Sequence, residues 1–178
     1  MSTPPSAPTE IRFCSHCGSE METRIVSGRP RRACTVCDFV HFTDPKVGVG
    51  IMVMNEGKLL LVRRVMNPEK GKWSIPAGFL DYGEDPKETA VREVLEETNL
   101  TVEITGLVDV YYNPNAITSG GASVFILYRA NLIGGTLKAG DDAEAAKFFG
   151  PTDLPELAFT STLDVVQTIW RPKEPSTE

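Results

Sequence analysis

Three glutamates fall within five residues near the middle of the chain, in Arg92-Glu93-Val94-Leu95-Glu96-Glu97. The spacing i, i+3, i+4 gathers Glu93, Glu96 and Glu97 on one face of a helix. Like charges so placed destabilise a bare helix. A fold that keeps them together is expected to hold a cation there, and carboxylates suit hard, oxygen-liking ions such as Mg²⁺ or Mn²⁺. Divalent ions neutralise a phosphoanhydride, clamp its two phosphates and acidify a bound water. Chemistry of that kind is open to a cation held by the cluster. Glu93 and Glu97 are assigned as the main metal ligands, and Glu96 as a ligand or the base. The competing reading is a solvated acidic face, the usual meaning of a charge run.

The elements that must position these acids are well signalled. Asp85 is a good N-cap, Pro86 takes the favoured first position, and Glu88 completes a capping-box pattern. Ala90, Val91, Val94, Leu95 and Thr98 are the expected buried side. Asn99 falls where the helix should end, and Asn tolerates the left-handed conformation that closes helices. Upstream, Trp73-Ser-Ile-Pro76 reads as a strand end, and Ala77-Gly78 follows it. The unit is strand, glycine-bearing loop, acidic helix.

The joint spacing is distinctive: Gly78, five residues, Glu84, seven residues, Arg92-Glu93, an aliphatic, one residue, Glu96-Glu97, one residue, Asn99, Leu100. It resembles the signature of the Nudix hydrolases, with Asn99 where the family has glycine. The resemblance implies a mixed β-sheet sandwiched between helices, an α/β (α+β) fold. It also implies that the Ala77 carbonyl ligates metal, that Glu84 supports the loop or the metal, and that Arg92 holds neighbouring carboxylates in place. Asp141-Asp142-Ala143-Glu144 resembles the family's late acidic loop, and Glu144 is the best match there to a ligand or base.

All four cysteines lie in the first 37 residues, as Cys14-x2-Cys17 and Cys34-x2-Cys37. Two such knuckles match a tetrahedral Zn²⁺ site, and four thiolates close its shell, so the zinc is expected to be structural. Two disulfides are the alternative, but nothing places the chain in an oxidising compartment. His16 and His41 are the only histidines, and neither is needed as a ligand. Residues 11–42 are read as a zinc ribbon made locally basic by Arg24, Arg29, Arg31 and Arg32. No aromatic platform is interleaved with these arginines, so no nucleic-acid contact is expected.

The chain has 178 residues and a net charge of −6, enough length for one core plus a small appendage and without a basic footprint. No apolar run approaches a membrane span, and the first ten residues do not read as a secretory signal. A cytoplasmic setting is expected. Residues 1–10 and 172–178 read as disordered tails, and 43–171 as the catalytic domain. Within it, strands are expected over 47–54, 58–64, 73–76, 101–112 and 123–130, with Phe148-Phe149 at one end of a short strand. Loops are expected around Asn113-Pro114-Asn115 and Gly120-Gly121, and a last helix from Thr160 or Ser161 to near Trp170.

A four-cysteine ribbon ahead of such a domain resembles the NADH pyrophosphatases and a related group acting on ADP-ribose and FAD. The Ser-Gln-Pro-Trp-Pro-Phe-Pro array of the former is absent from the region Asp109–Thr118, which favours ADP-ribose or FAD, cleaved to AMP plus a phosphorylated remainder. Gly78, Phe79, Arg63 and Arg64 are candidates for the phosphate end. Tyr112, Tyr111 or Phe125 are candidates to stack a ring. The alternatives are nucleoside triphosphates or dinucleoside polyphosphates as substrates, and a non-enzymatic nucleotide-sensing regulator. An isomerase of diphosphate lipids is a further one, opposed by the commitment of every cysteine to the ribbon. A homodimer is compatible with the sequence.

Overall fold

The computed structural model describes residues 11–113 and 124–170. The expected tails and the expected loop at Asn115 and Gly120-Gly121 lie outside these residues. Two compact units meet in sequence between Asp44 and Pro45.

The first unit is a three-stranded antiparallel sheet, β1 (Met21–Val26), β2 (Arg29–Cys34) and β3 (Val40–His41). Ser27 and Gly28, both at positive φ, make the two-residue turn whose twist matches a hairpin. Buried Cys14, Met21 and Cys34 form its small core. Too little apolar surface is buried in a unit this small for packing alone to hold it.

The second unit is built on a mixed seven-stranded sheet. Its elements are β4 (Val47–Asn55), β5 (Lys58–Arg64), β6 (Trp73–Ser74), β7 (Ala77–Phe79), α1 (Pro86–Thr98), β8 (Leu100–Tyr112), β9 (Val124–Gly135), β10 (Ala143–Phe149) and α2 (Thr160–Trp170). The main order is β10-β5-β4-β9-β8. The β4–β9 pair is parallel, and the other pairs are antiparallel. The lower edge of β4 is shared. Met54 and Asn55 pair with β5, whereas Gly48, Val49 and Gly50 pair with β7.

Strand alternation sorts two cores onto the two faces. Val49, Ile51 and Val53 pack with Ala90 and Val94 of α1, while Met52, Leu59, Leu61 and Leu127 pack with Val165 of α2. A sheet between two helices is the expected arrangement. The last strand departs from expectation: it begins at Ala143, so Glu144 sits within β10 and not in a loop. Among the described residues, no helix is long and apolar enough to cross a membrane.

Candidate active site and metal centres

Helix α1 begins and ends as its caps dictate. The Asp85 carboxylate accepts the amides of Lys87 (2.7 Å) and Glu88 (3.4 Å). Asn99 closes the helix at φ 56°, its amide donating to the Leu95 carbonyl. The buried stripe differs from the expected one. Leu95 is half exposed, and Glu97 takes a buried place beside Ala90, Val94 and Thr98. Glu97 sits one turn past Val94 on the face that meets the sheet, so its carboxylate is carried under β7. There it accepts the Ala77 amide at 3.1 Å.

Gly78 explains the position of Glu93. A Cβ on Gly78 would overlap the Glu93 carboxyl group, so only glycine lets that carboxylate lie against β7. Arg92 Nη1 spans Glu96 at 2.8 Å and Glu93 at 3.0 Å, and Nη2 reaches Glu84 at 3.5 Å. Glu84 also accepts the Asp81 amide and the Thr89 hydroxyl, which hold its carboxyl below the usual range. Ala77-Gly78, expected as a loop, is part of strand β7, and Glu84 ties the turn after it to the helix start and braces Arg92.

Burial raises both inner acids. Glu93 rises through desolvation, offset by Arg92 and reinforced by Glu96 and Asp141. Glu97 is pushed up to about 8, first by burial and then by Glu93, with the Ala77 amide and Arg64 opposing. Two desolvated carboxylates, with Glu93 raising Glu97, are a donor set that favours a cation. Oxygen donors from Glu93 and Glu97, in a cradle that a side chain at position 78 would fill, fit a hard divalent ion.

A small cleft opens beside Glu97, lined by Val62, Arg64, Val65, Met66, Ala77 and Asp142. Arg64 stacks over Phe159 and donates to the Pro68 carbonyl, which holds its guanidinium toward Glu97 and Asp142. Arg63 points elsewhere. It donates to the Gly71 carbonyl and pairs with Glu144 at 3.6 Å. A register shift between Ala143 and Ala145 produces this partition. Of the late acids, the structure brings Asp142 to the cleft, while Glu144 is committed to Arg63. The sequence ranked them the other way.

The stacking candidates are also redistributed. Phe79, Gly48, Phe125 and Tyr111 lie on one rung of the sheet, by the pairs Gly48–Phe79, Gly48–Phe125 and Tyr111–Phe125. Residues on one rung share a face, so Tyr112, one residue on, faces the other way. Tyr112 is largely exposed, and Phe79 is half exposed with Lys46 Nζ 5.0 Å from its ring centre. Gly50, two residues from Gly48, admits the Phe125 ring over the strand. The Gly48-x-Gly50 alternation inside an apolar strand was the available signal for this close approach.

In the first unit, all four Sγ atoms lie within 4.8 Å of one another, and none is in a disulfide. Measured pairs are 3.5, 3.6 and 3.7 Å. A tetrahedron with Zn–S of about 2.3 Å has edges of about 3.8 Å. Amides of His16, Val36 and Cys37 donate to Cys14 and Cys34. Bonds from Ser19 lower Cys17 to about 6, whereas Cys37 is pushed up to about 12 because burial and its neighbouring thiols outweigh the Phe39 amide. Four thiolates cannot coexist at this spacing without a cation. His16 stacks on Phe39 instead of joining the cluster, and His41 lies in β3 opposite Arg32. Three of the four arginines are engaged locally, Arg24 with Glu22, Arg31 over Phe42, and Arg32 with Ile11, Met21 and Thr23.

Comparison with known proteins agrees with this geometry. The NUDIX domain model matches residues 44–167, and the Nudix N-terminal zinc-ribbon model matches residues 12–43. An ADP-ribose pyrophosphatase of Methanocaldococcus jannaschii is 41% identical over 118 residues, 66% of this chain and 69% of that protein. The NAD-capped RNA hydrolase NudC of Vibrio atlanticus is 27% identical over 86% of this chain, which spans only 54% of that relative. The crystal structure of a NUDIX hydrolase from Nitrosomonas europaea superposes with a TM-score of 0.79 at 36% identity, over 89% of this chain and 90% of that one. The chain is thus a member of the Nudix hydrolase family, with a Nudix N-terminal zinc-ribbon unit ahead of its catalytic domain.

Proposed function

We propose that the protein is a divalent-metal-dependent pyrophosphatase that cleaves a nucleoside diphosphate derivative, ADP-ribose or FAD in preference to NADH, to AMP and a phosphorylated product. The observation that carries this reading is the pair of buried Glu97 and half-buried Glu93 cradled against Ala77-Gly78. The 41% identity to a protein named ADP-ribose pyrophosphatase supports the substrate class.

In this reading Glu93 and Glu97 hold Mg²⁺ or Mn²⁺, with Glu96 and the Ala77 carbonyl as further donors. The bound ion supplies charge neutralisation at the diphosphate and an acidified water. Arg92 keeps Glu93 and Glu96 oriented, and Glu84 keeps Arg92 in place. Arg64, desolvated at the cleft, meets a phosphate oxygen with its planar fork. Phe79, across the Gly48 gap from Phe125, offers a face to a base or flavin ring. Zn²⁺ in the ribbon is structural, and a cytoplasmic setting and a homodimer are both compatible with the reading.

A product-resolved panel with Mg²⁺ and Mn²⁺ tests it over ADP-ribose, FAD, NADH, NAD, diadenosine polyphosphates and nucleoside triphosphates. AMP released fastest from ADP-ribose or FAD is the expected result. Equal low activity on all would sink the substrate assignment. The similarity to NudC spans both units and favours a second reading, in which NAD derivatives are cleaved; NADH as the fastest substrate would select it.

A further inference from the structure

The one departure from the Nudix signature, Asn99 in place of glycine, does something a glycine cannot. Its side-chain Nδ2 donates to the Thr136 carbonyl at 2.9 Å. From that point the chain runs along the end of α1. The Lys138 amide donates to the Thr98 carbonyl at 3.0 Å, and the Gly140 amide to the Glu97 carbonyl at 3.1 Å. These carbonyls are among those a helix end leaves without a partner. Gly140 lies so close that a Cβ would come within 2.7 Å of the Glu96 carbonyl oxygen. The segment then turns, with the Ala143 amide donating to the Gly140 carbonyl and Asp141 at φ 47°. At its far end the Asp142 carbonyl accepts the Val65 amide, next to Arg64.

Residues 136–142 thus bridge the two walls of the cleft, fixed to the glutamate helix on one side and to the strand end at Arg64–Val65 on the other. The Asp142 side chain is the acid this bridge delivers to the cleft that holds Glu97. We propose that Asn99 and Gly140 are positioning residues, which pin this bridge so that Asp142 stands with Glu97 as an acidic donor toward the catalytic metal. The proposal rests on the metal-site reading above. It assigns the glutamate helix and the late acid to one mechanical unit, joined by three backbone or side-chain hydrogen bonds at the helix end.

The test uses the full chain with Mn²⁺ as probe. Mn²⁺ affinity is measured by calorimetry without substrate, and kcat and KM are measured on ADP-ribose. Asn99→Gly keeps the left-handed cap and removes only the bond to Thr136. It is expected to weaken Mn²⁺ binding and lower kcat about tenfold, with KM little changed. Asp142→Asn is expected to lose at least as much. The double variant should lose no more than Asp142→Asn alone, because Asn99 acts through Asp142. Gly140→Ala should behave like Asn99→Gly, and if it fails to fold the Asn99→Gly cycle stands by itself. Unaltered Mn²⁺ affinity in Asn99→Gly, or additive losses in the double variant, would overturn the proposal while leaving the metal site intact. A wild-type chain that binds no Mn²⁺ overturns the metal-site reading and this proposal with it.

Discussion

Replacing Glu97 by Gln should make the metal-free protein more stable at alkaline pH while abolishing hydrolysis. The Glu97 side chain is 6% exposed, and its carboxyl is pushed from 4.5 up to about 8, chiefly by burial. A raised carboxyl pKa means that the folded state holds a proton the unfolded state has released. Stability is then full below about pH 4.5 and is lost as the pH rises through about 8. At about 1.4 kcal/mol per pH unit, the loss across that window has a ceiling of about 5 kcal/mol. Gln keeps the shape and can still accept the Ala77 amide, but has no charge to bury. The assay is urea unfolding of wild type and Glu97→Gln at pH 5, 6, 7 and 8, in chelator and in saturating Mg²⁺. In chelator the two proteins should differ little at pH 5. At pH 8 the variant should be more stable by about 2–5 kcal/mol, a Tm difference on the order of 10 °C for a domain this size. Mg²⁺ should close the gap by stabilising wild type alone. Parallel pH dependence of the two proteins in chelator would refute the claim that Glu97 is buried at a cost.

Gly78→Ala should displace the Glu93 carboxyl group and lower kcat/KM about 10²-fold with the far-ultraviolet circular dichroism unchanged; activity within threefold of wild type would contradict the cradle. Arg92→Ala should cost about 10–100-fold in kcat, and Arg92→Lys should recover only part of it, because a single ammonium cannot span Glu84, Glu93 and Glu96 together. Metal analysis should find one zinc per chain, lost in Cys34→Ser, and a mercurial should release it from wild type with four thiols titrated; an oxidised, zinc-free ribbon would refute the assignment. Phe79→Ala should raise KM for ADP-ribose more than it lowers kcat, and an unchanged KM would remove Phe79 from the substrate surface.

Much of the acidic helix was legible because its signals are local. Asp85, Pro86 and the left-handed cap at Asn99 act on backbone groups within four residues and can be read without tertiary context, whereas the bond from the Asn99 side chain to Thr136 cannot. The ribbon was legible for a similar reason, since cysteine pairs at knuckle spacing meet one metal wherever the chain goes. Leu95 is expected to be buried and is half exposed, because hydropathy assumes that the apolar side chain is the one to bury. The i, i+3, i+4 spacing marks Glu97 as a metal ligand but not as a buried residue. A single shift of register in β10 decides which late acid faces Arg63 and which faces the cleft. No local signal in Asp141-Asp142-Ala143-Glu144 encodes that shift. Tyr111 and Tyr112 are not separable in the sequence for want of a pairing register, which fixes the face of every residue in a strand at once.

The shared edge of β4 has a consequence for how such a protein can vary. The spine formed by β4 and β9 runs unbroken from Val47 to Met54 on one side. On the other, two short partners meet the same strand at separate places and leave a seam between them. The proposed site borders this seam, through Ala77 of β7 and Val62 and Arg64 of β5, and not the spine. Lengthening, shortening or re-aiming the segment between Arg64 and Trp73 alters the seam while the ladder beneath it is undisturbed. The fold therefore separates the part that must stay constant in order to fold from the part that can be recut for a different leaving group.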